Sequence, residues 1–178
     1  MIQSIIKELE IKSRNFKEAI ETIYFGGGTP SIISDGEISK IIEKIFENYL
    51  VSSKVEITLE ANPDDIDSLK LEKFSTTRVN RLSIGVQSFI DKELIMMKRA
   101  HNSVQAKKSI EVSLKYFDNI SIDLIYGVPE SDLKSWKSNL DVSLEFGLNH
   151  YTTYALTVEP KTLLKKYIDN EIIENLDE

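Results

Sequence analysis

Cysteine is missing from all 178 residues. Within this chain that excludes a disulfide framework, a thiolate metal site and a cysteine nucleophile. Long apolar runs are missing too. Nothing approaches the ~20 consecutive apolar residues that span a bilayer. No signal-peptide pattern opens the chain either, so the expected location is the cytoplasm. Positive charge is in deficit: 22 Lys and Arg stand against 29 Asp and Glu, a formal net charge of −7. An acidic surface speaks against nucleic acid or an anionic membrane as the main partner. Neither the Walker-type Gly-Lys-Ser/Thr nor the Gly-x-Gly-x-x-Gly pattern occurs, which weakens readings as a nucleoside-triphosphate or dinucleotide enzyme. Glycine is sparse at seven residues, yet three of them stand together as Gly26–Gly28.

What is present reads as one globular domain over 1–178, 41% hydrophobic and 29% charged, with a charged tail from 161 to 178. Ile2, Ile5, Ile6 and Leu9 recur at helical spacing. Thr22–Phe25 is β-branched and aromatic, as a strand requires. Ser34 and Glu37 fit a capping box, and Ile38, Ile41, Ile42, Ile45 and Phe46 follow with a 3.6-residue period. Val55–Glu60 alternates, with Val55, Ile57 and Leu59 on one face and Glu56, Thr58 and Glu60 on the other. A short helix carrying Ile66, Leu69 and Phe74 comes next. Val79–Phe89 alternates again, setting Leu82, Ile84 and Val86 against Arg81, Ser83, Gly85 and Gln87. Helices are expected near Asp91–Met97 and Val104–Tyr116. Asn119–Gly127 is a further alternating strand, with Ser121 and Asp123 on its polar face. Ser131–Phe146 is helical, and His150–Val158 is the fifth strand.

A helix separates every pair of strands, which calls for parallel βαβ units. Strands of open doubly wound sheets are covered on both faces and read as continuous apolar runs. Several strands here have one apolar face and one polar or small face. That suits a barrel whose lumen holds a polar ligand. A complete barrel needs eight strands and about 250 residues, so five strands make a partial (β/α) barrel. An open sheet is the alternative.

Barrel enzymes bind ligands at the carboxyl ends of their strands. Gly26–Gly28, Glu60, Gln87, Asp123 and Ala155 all fall at or near such ends. Three glycines bring backbone N–H groups close to a ligand; the plainer reading is a turn. Glu60 also fits a solvated strand end. Asp123 lies between Ile122 and Leu124, and a buried carboxylate needs a partner, which a structural Arg would also supply. Arg81 inside a strand suggests an ion pair with Glu56 or Glu60. Arg99 and His101 read as a solvated helix end, His150 as structural, Tyr24 and Trp136 as core. From residues alone the reading stops at a barrel-like α/β ligand-binding domain, where a phosphate-sugar enzyme competes well.

The blocks YFGGGTPS, EITLEANPDDI, VNRLSIGVQSF, KRAHN, NISIDLIYGVP and YALTVEP occur in this order from about Thr22 to Thr162. In them the chain closely resembles the oxygen-independent coproporphyrinogen III oxidase family of radical S-adenosylmethionine (radical SAM) proteins. LEANP and YALTVEPKT are more similar to its HemW-like branch, the haem chaperones, than to the true oxidases. The resemblance implies a radical SAM partial barrel that binds S-adenosylmethionine and a 4Fe–4S cluster, with haem or a porphyrinogen as partner. The alternative it leaves is the oxidase itself, which decarboxylates coproporphyrinogen III. Carried over by motif, Gly27, Gly28 and Thr29 would contact the methionyl part of the cofactor. Glu60 would take its ammonium or ribose hydroxyls, and Gln87 and Asp123 would add polar contacts. Arg99 would pair with a carboxylate, and Ala155 would give a backbone contact to the adenosyl group.

The family's cluster motif, Cys-x-x-x-Cys-x-x-Cys, has no counterpart here, and such clusters are held by thiolates. The expectation is therefore a fragment without the first barrel strand, the cluster loop and the C-terminal domain, and without radical chemistry of its own. The other class of reading is a cluster-free module binding haem or S-adenosylmethionine. An open sheet edge also invites oligomers.

Overall fold

The computed structural model describes residues 1–173. Its elements follow the chain as α1 (Ile2–Ser13), β1 (Ile20–Phe25), α2 (Asp35–Asn48), β2 (Val51–Ala61), α3 (Ser68–Ser75) and β3 (Arg81–Gln87). Then come α4 (Asp91–Met96), α5 (Ser103–Ser113), β4 (Ile120–Tyr126), α6 (Leu133–Leu144), β5 (His150–Ala155) and α7 (Leu163–Asp169). One 3-10 turn, Pro30–Ile32, lies between β1 and α2.

The five strands lie in the order β1-β2-β3-β4-β5, each parallel to its neighbour. That order excludes the open doubly wound alternative, which needs a point where the strand order reverses. Without a reversal, right-handed crossovers put every connecting helix on the same face of the sheet. The sheet therefore curls around an uncovered inner face, a half-barrel.

Side-chain parity divides the two faces. Ile23, Ile57, Leu59, Leu82, Ile84, Ile122 and Leu124 point outward into the core beneath the helices. Each fully buried Ile or Leu there contributes ~1.5–3 kcal/mol. Tyr24, Glu60, Ser83, Asp123, Thr152 and Tyr154 take the other parity and line the inner face. α2 seals the outer face with Ile38, Ile41, Ile42 and Ile45. Ser34 caps it by accepting from the Glu37 N–H at 3.3 Å. The Glu37 carboxylate accepts from the Ser34 hydroxyl at 3.0 Å, so only half of the expected capping box forms.

Several expectations shift. β2 starts at Val51, four residues before the alternation begins, and β5 stops at Ala155 instead of Val158. The expected strand over Val79–Phe89 stops at Gln87, whose φ of 68° turns the chain away. Trp136 is only partly buried, packed on the core and 5.4 Å from the ring of Tyr126. Within the expected charged tail, α7 is helical and capped by Thr162; 174–178 lie outside the described residues.

Candidate functional site

The loop after β1, the turn after β2 and the end of β3 meet side chains of β4 and β5 at the inner face. Between them lies a cavity of ≈210 Å³ bounded by Gly28, Thr29, Glu60, Asn62, Gln87 and Asp123, with Ser83, Gly85 and Tyr154 completing the wall. Five of the eight expected cofactor residues therefore line one cavity: Gly28, Thr29, Glu60, Gln87 and Asp123. Gly27 joins them through its N–H, which donates to Glu60 Oε2 at 3.2 Å.

The glycine loop needs its glycines for two different reasons. Gly27 and Gly28 have φ of 79° and 61° with open space where a Cβ would stand, so their requirement is conformational. Gly26 is a steric case. A Cβ there would lie 2.8 Å from Tyr24 Cε1 and 3.1 Å from Glu60 Oε1. Tyr24 is 56% exposed on the inner face, not core as its type suggested. Its hydroxyl donates to Glu60 Oε1 at 2.9 Å. Tyr24 and Gly27 thus occupy one oxygen each of the Glu60 carboxylate and fix its plane. Burial, then the Glu60 bond, push the Tyr24 hydroxyl pKa up.

Gln87 enters through a distortion of β3. Ile84 pairs with Ile122 but Gln87 pairs with Leu124, so β3 fits three steps where β4 takes two. The Gln87 side chain lines the cavity, and its Oε1 accepts from the Tyr154 hydroxyl at 3.2 Å. Asp123 makes no ion pair among the described residues; a hydrogen bond with Thr152 and the more distant Arg81 charge favour its ionised form. Burial raises its pKa above the ordinary carboxylate value, and the Glu60 charge raises it further. Two carboxylates on one wall favour a cationic ligand.

Arg99 is not a solvated helix end. Its Nη2 donates to Asn62 Oδ1 at 2.8 Å and to the Gly85 carbonyl at 3.2 Å. Its Nε is buried with no hydrogen-bond partner. Asn62 passes the link on, donating from Nδ2 to Asp65 Oδ2 at 3.2 Å. Arg99 therefore braces the cavity wall instead of lining it. His101 is buried at 3% exposure, and its Nε2–H donates to the Val86 carbonyl at 2.9 Å. Ala155 ends β5 beside Tyr154, opposite Tyr126, and does not line the cavity. Deeper in the half-barrel, Arg81 pairs with Glu56 at 3.9 Å, as the sequence suggests. It also donates to Ser121 Oγ at 2.8 Å and to His150 Nδ1 at 2.9 Å. A guanidinium only donates, so His150 Nδ1 accepts, and its role there is structural.

Sequence reasoning missed Tyr24, Asn62 and Tyr154. Tyr24 shares parity with Thr22, and Tyr154 with His150 and Thr152, so strand alternation carried the signal for both.

The donor set fits a small amino-acid-like cation: an acidic wall, an amide, two phenols and a glycine loop open to close approach. It does not fit an iron–sulfur cluster. The chain has no cysteine, and among the described residues no group of three or more His, Asp or Glu side chains is placed to hold a metal.

The family model described as the radical SAM superfamily matches residues 2–141. The heme chaperone HemW of Buchnera aphidicola (subsp. Acyrthosiphon pisum, strain APS) is 34% identical over 167 residues, covering 91% of this chain and 43% of that protein. HemW of Bacillus subtilis (strain 168) is 38% identical over 146 residues, covering 81% of this chain and 38% of that protein. The chain thus spans about two fifths of the length of these curated relatives. Among solved structures it is similar to the coproporphyrinogen III oxidase HemN from Escherichia coli, a radical SAM enzyme. The TM-score is 0.84 at 22% identity, over 98% of this chain and 41% of that one. That likeness shows the same half-barrel. The match across 2–141, on a parallel half-barrel with its polar cavity at the strand ends, means that the chain belongs to the radical SAM superfamily.

Proposed function

We propose that this chain forms the S-adenosylmethionine-binding part of a HemW-like protein that acts in haem metabolism as a haem chaperone. One observation carries the reading: the glycine loop, Glu60, Gln87 and Asp123 converge on a single cavity. S-adenosylmethionine carries an ammonium and a sulfonium, and the paired carboxylates of Glu60 and Asp123 complement that charge. The open backbone at Gly27 and Gly28 admits the methionyl group where side chains would block it. Ala155 offers the adenosyl group only backbone, from the rim of β5. The cofactor supplies a 5′-deoxyadenosyl radical when its sulfonium is reductively cleaved. These residues hold no thiolate for a 4Fe–4S cluster, so the reading assigns this chain the binding and no radical step.

The HemW relatives, at 34% and 38% identity, favour the chaperone over the oxidase, whose HemN structure shares 22%. Haem or a porphyrinogen is then the partner of the longer protein. The free edges of β1 and β5 are the surfaces through which this chain would associate.

Calorimetric titration tests the reading. The chain is expected to bind S-adenosylmethionine in the micromolar range, and more tightly than S-adenosylhomocysteine, which lacks the sulfonium charge. Absence of saturable binding by a chain with native circular dichroism overturns it.

A further inference from the structure

Gln87 is held in an unusual backbone state. It is not glycine, yet its φ is 68°. The Ser88 N–H donates to the Val86 carbonyl at 2.9 Å, closing a three-residue turn around it. Turns of this kind with positive φ at the centre are rare and strained, and such strain persists only where the surroundings over-determine it.

The surroundings do so from behind the cavity. Ser88 is fully buried, and its hydroxyl donates to Glu93 Oε2 at 2.5 Å. A hydroxyl has one proton, and it points at the charged carboxylate and not at Asn139 Oδ1, 3.1 Å away. Ser88 Oγ then accepts from the Ile90 N–H at 3.0 Å. Asn139 on α6 completes the network, its Nδ2 donating to the same Glu93 oxygen at 2.9 Å. Its Oδ1 accepts from the Phe89 N–H at 2.7 Å. Glu93 on α4 is 6% exposed and makes no ion pair among the described residues. A buried carboxylate held only by neutral donors is costly unless both bonds are kept. Neither Glu93 nor Asn139 lines the cavity that Gln87 enters; both face a separate pocket on the far side of the β3–α4 turn.

We infer that Glu93 and Asn139 are positioning residues for Gln87: they clamp Ser88 and Phe89, hold the strained turn, and keep the Gln87 carboxamide in the ligand cavity. The inference rests on the proposed S-adenosylmethionine site for its functional consequence, but not for the clamp itself.

A double-mutant cycle with two readouts tests it. Asn139→Ala is expected to weaken S-adenosylmethionine binding about tenfold in the natural background and less than about twofold when Gln87→Gly is already present. Glu93→Gln keeps the shape but replaces the charged acceptor on which both clamp bonds converge with a neutral one, so it is expected to show the same pattern, smaller, should Asn139→Ala not fold. Equal losses in both backgrounds, or no loss in either, overturn the inference. The second readout needs no ligand. NMR relaxation of the Gln87 side-chain amide, assigned by its absence in Gln87→Gly, is expected to show a rigid group that loosens in either clamp variant. An unchanged order parameter overturns the clamp. If the natural chain binds no S-adenosylmethionine, the proposed function fails, and the NMR result still decides the clamp.

Discussion

The Tyr24 hydroxyl donates to Glu60 Oε1 at 2.9 Å while the Gly27 N–H holds Oε2 at 3.2 Å. One carboxylate is thereby oriented by two neighbouring segments before any ligand arrives. Pre-organisation of this kind lowers the ordering cost of binding. Tyr24→Phe leaves the ring and removes one donor to a charged acceptor, a bond worth ~1.5–3 kcal/mol when desolvated. Tyr24 is largely exposed, so the effect lies at the low end and appears in affinity. The expected result is a several-fold weaker Kd for S-adenosylmethionine with an unchanged melting temperature. Calorimetry and thermal denaturation on the same samples measure both.

Neighbouring glycines are expected to fail differently. Gly26→Ala puts a methyl against the Tyr24 ring and the Glu60 carboxylate. Both are side chains on the open inner face and can move, so stability changes by less than ~1 kcal/mol while binding is lost. Gly27→Ala meets no atom but must hold a φ of 79°, costing ~1–2 kcal/mol of stability. Gly36 in α2 has neither positive φ nor a close neighbour. Gly36→Ala is expected to stabilise the fold by ~0.5 kcal/mol. Chemical denaturation of the three variants separates the cases.

Asp123 should make the folded chain weaker as pH rises. Its folded pKa is raised, by burial first and the Glu60 charge second. The folded state then holds a proton that the unfolded state has released. Its contribution is fully present below the unfolded value of ~3.9 and is lost as pH rises through the folded value. Asp123→Asn is therefore expected to be more stable than the natural chain at neutral pH, with the gap closing as pH falls toward ~4. It should also bind S-adenosylmethionine more weakly, because a cationic ligand draws on the ionised carboxylate. Urea titrations of both chains across pH check the sign. A gap independent of pH would remove Asp123 as its source.

Much of this site was legible because strand alternation fixes which side chains share a face. Glu60, Ser83 and Asp123 occupy the polar parity of their strands, and all three reach the cavity. The blocks that identify the family fall at the same strand ends. What was not legible depends on long-range packing. Arg99 and His101 follow a short helix in a charged stretch, and locally they read as solvated. They are drawn inward by the carbonyls of Gly85 and Val86, about fifteen residues earlier, at the distorted end of β3. Asn62 reads as a turn residue, and only the folded chain shows its amide bridging Arg99 and Asp65. No periodicity reports a strand distortion, so the Gln87 turn and the residues that hold it had no signature in the sequence.

His101 is the group through which acid should loosen that distorted strand end. Its Nε2–H supports the Val86 carbonyl, and its Nδ1 is buried, 3.6 Å from Asp64 Oδ1. Burial depresses its pKa, and the nearby Arg99 charge acts in the same direction. The folded chain therefore resists protonation that the unfolded chain accepts. The stability so gained is full above the unfolded value of ~6.5 and disappears as pH falls through the lower folded value. This runs opposite to Asp123, whose contribution is greatest at low pH, so the two groups tilt the stability profile in opposite directions and between them each gives only part of its contribution. His101→Gln retains an amide donor for Val86 and cannot titrate. It is expected to flatten the acid limb of the stability profile, whereas His101→Ala costs ~2 kcal/mol at neutral pH through lost volume and a lost donor, a gap that narrows in acid as the natural chain loses the His101 contribution. Val86 also accepts the Ser88 N–H that closes the Gln87 turn. In Asp123→Asn, where the cavity carboxylate cannot titrate, ligand affinity should therefore fall with the same acid midpoint as stability, and a different midpoint there would uncouple His101 from the site.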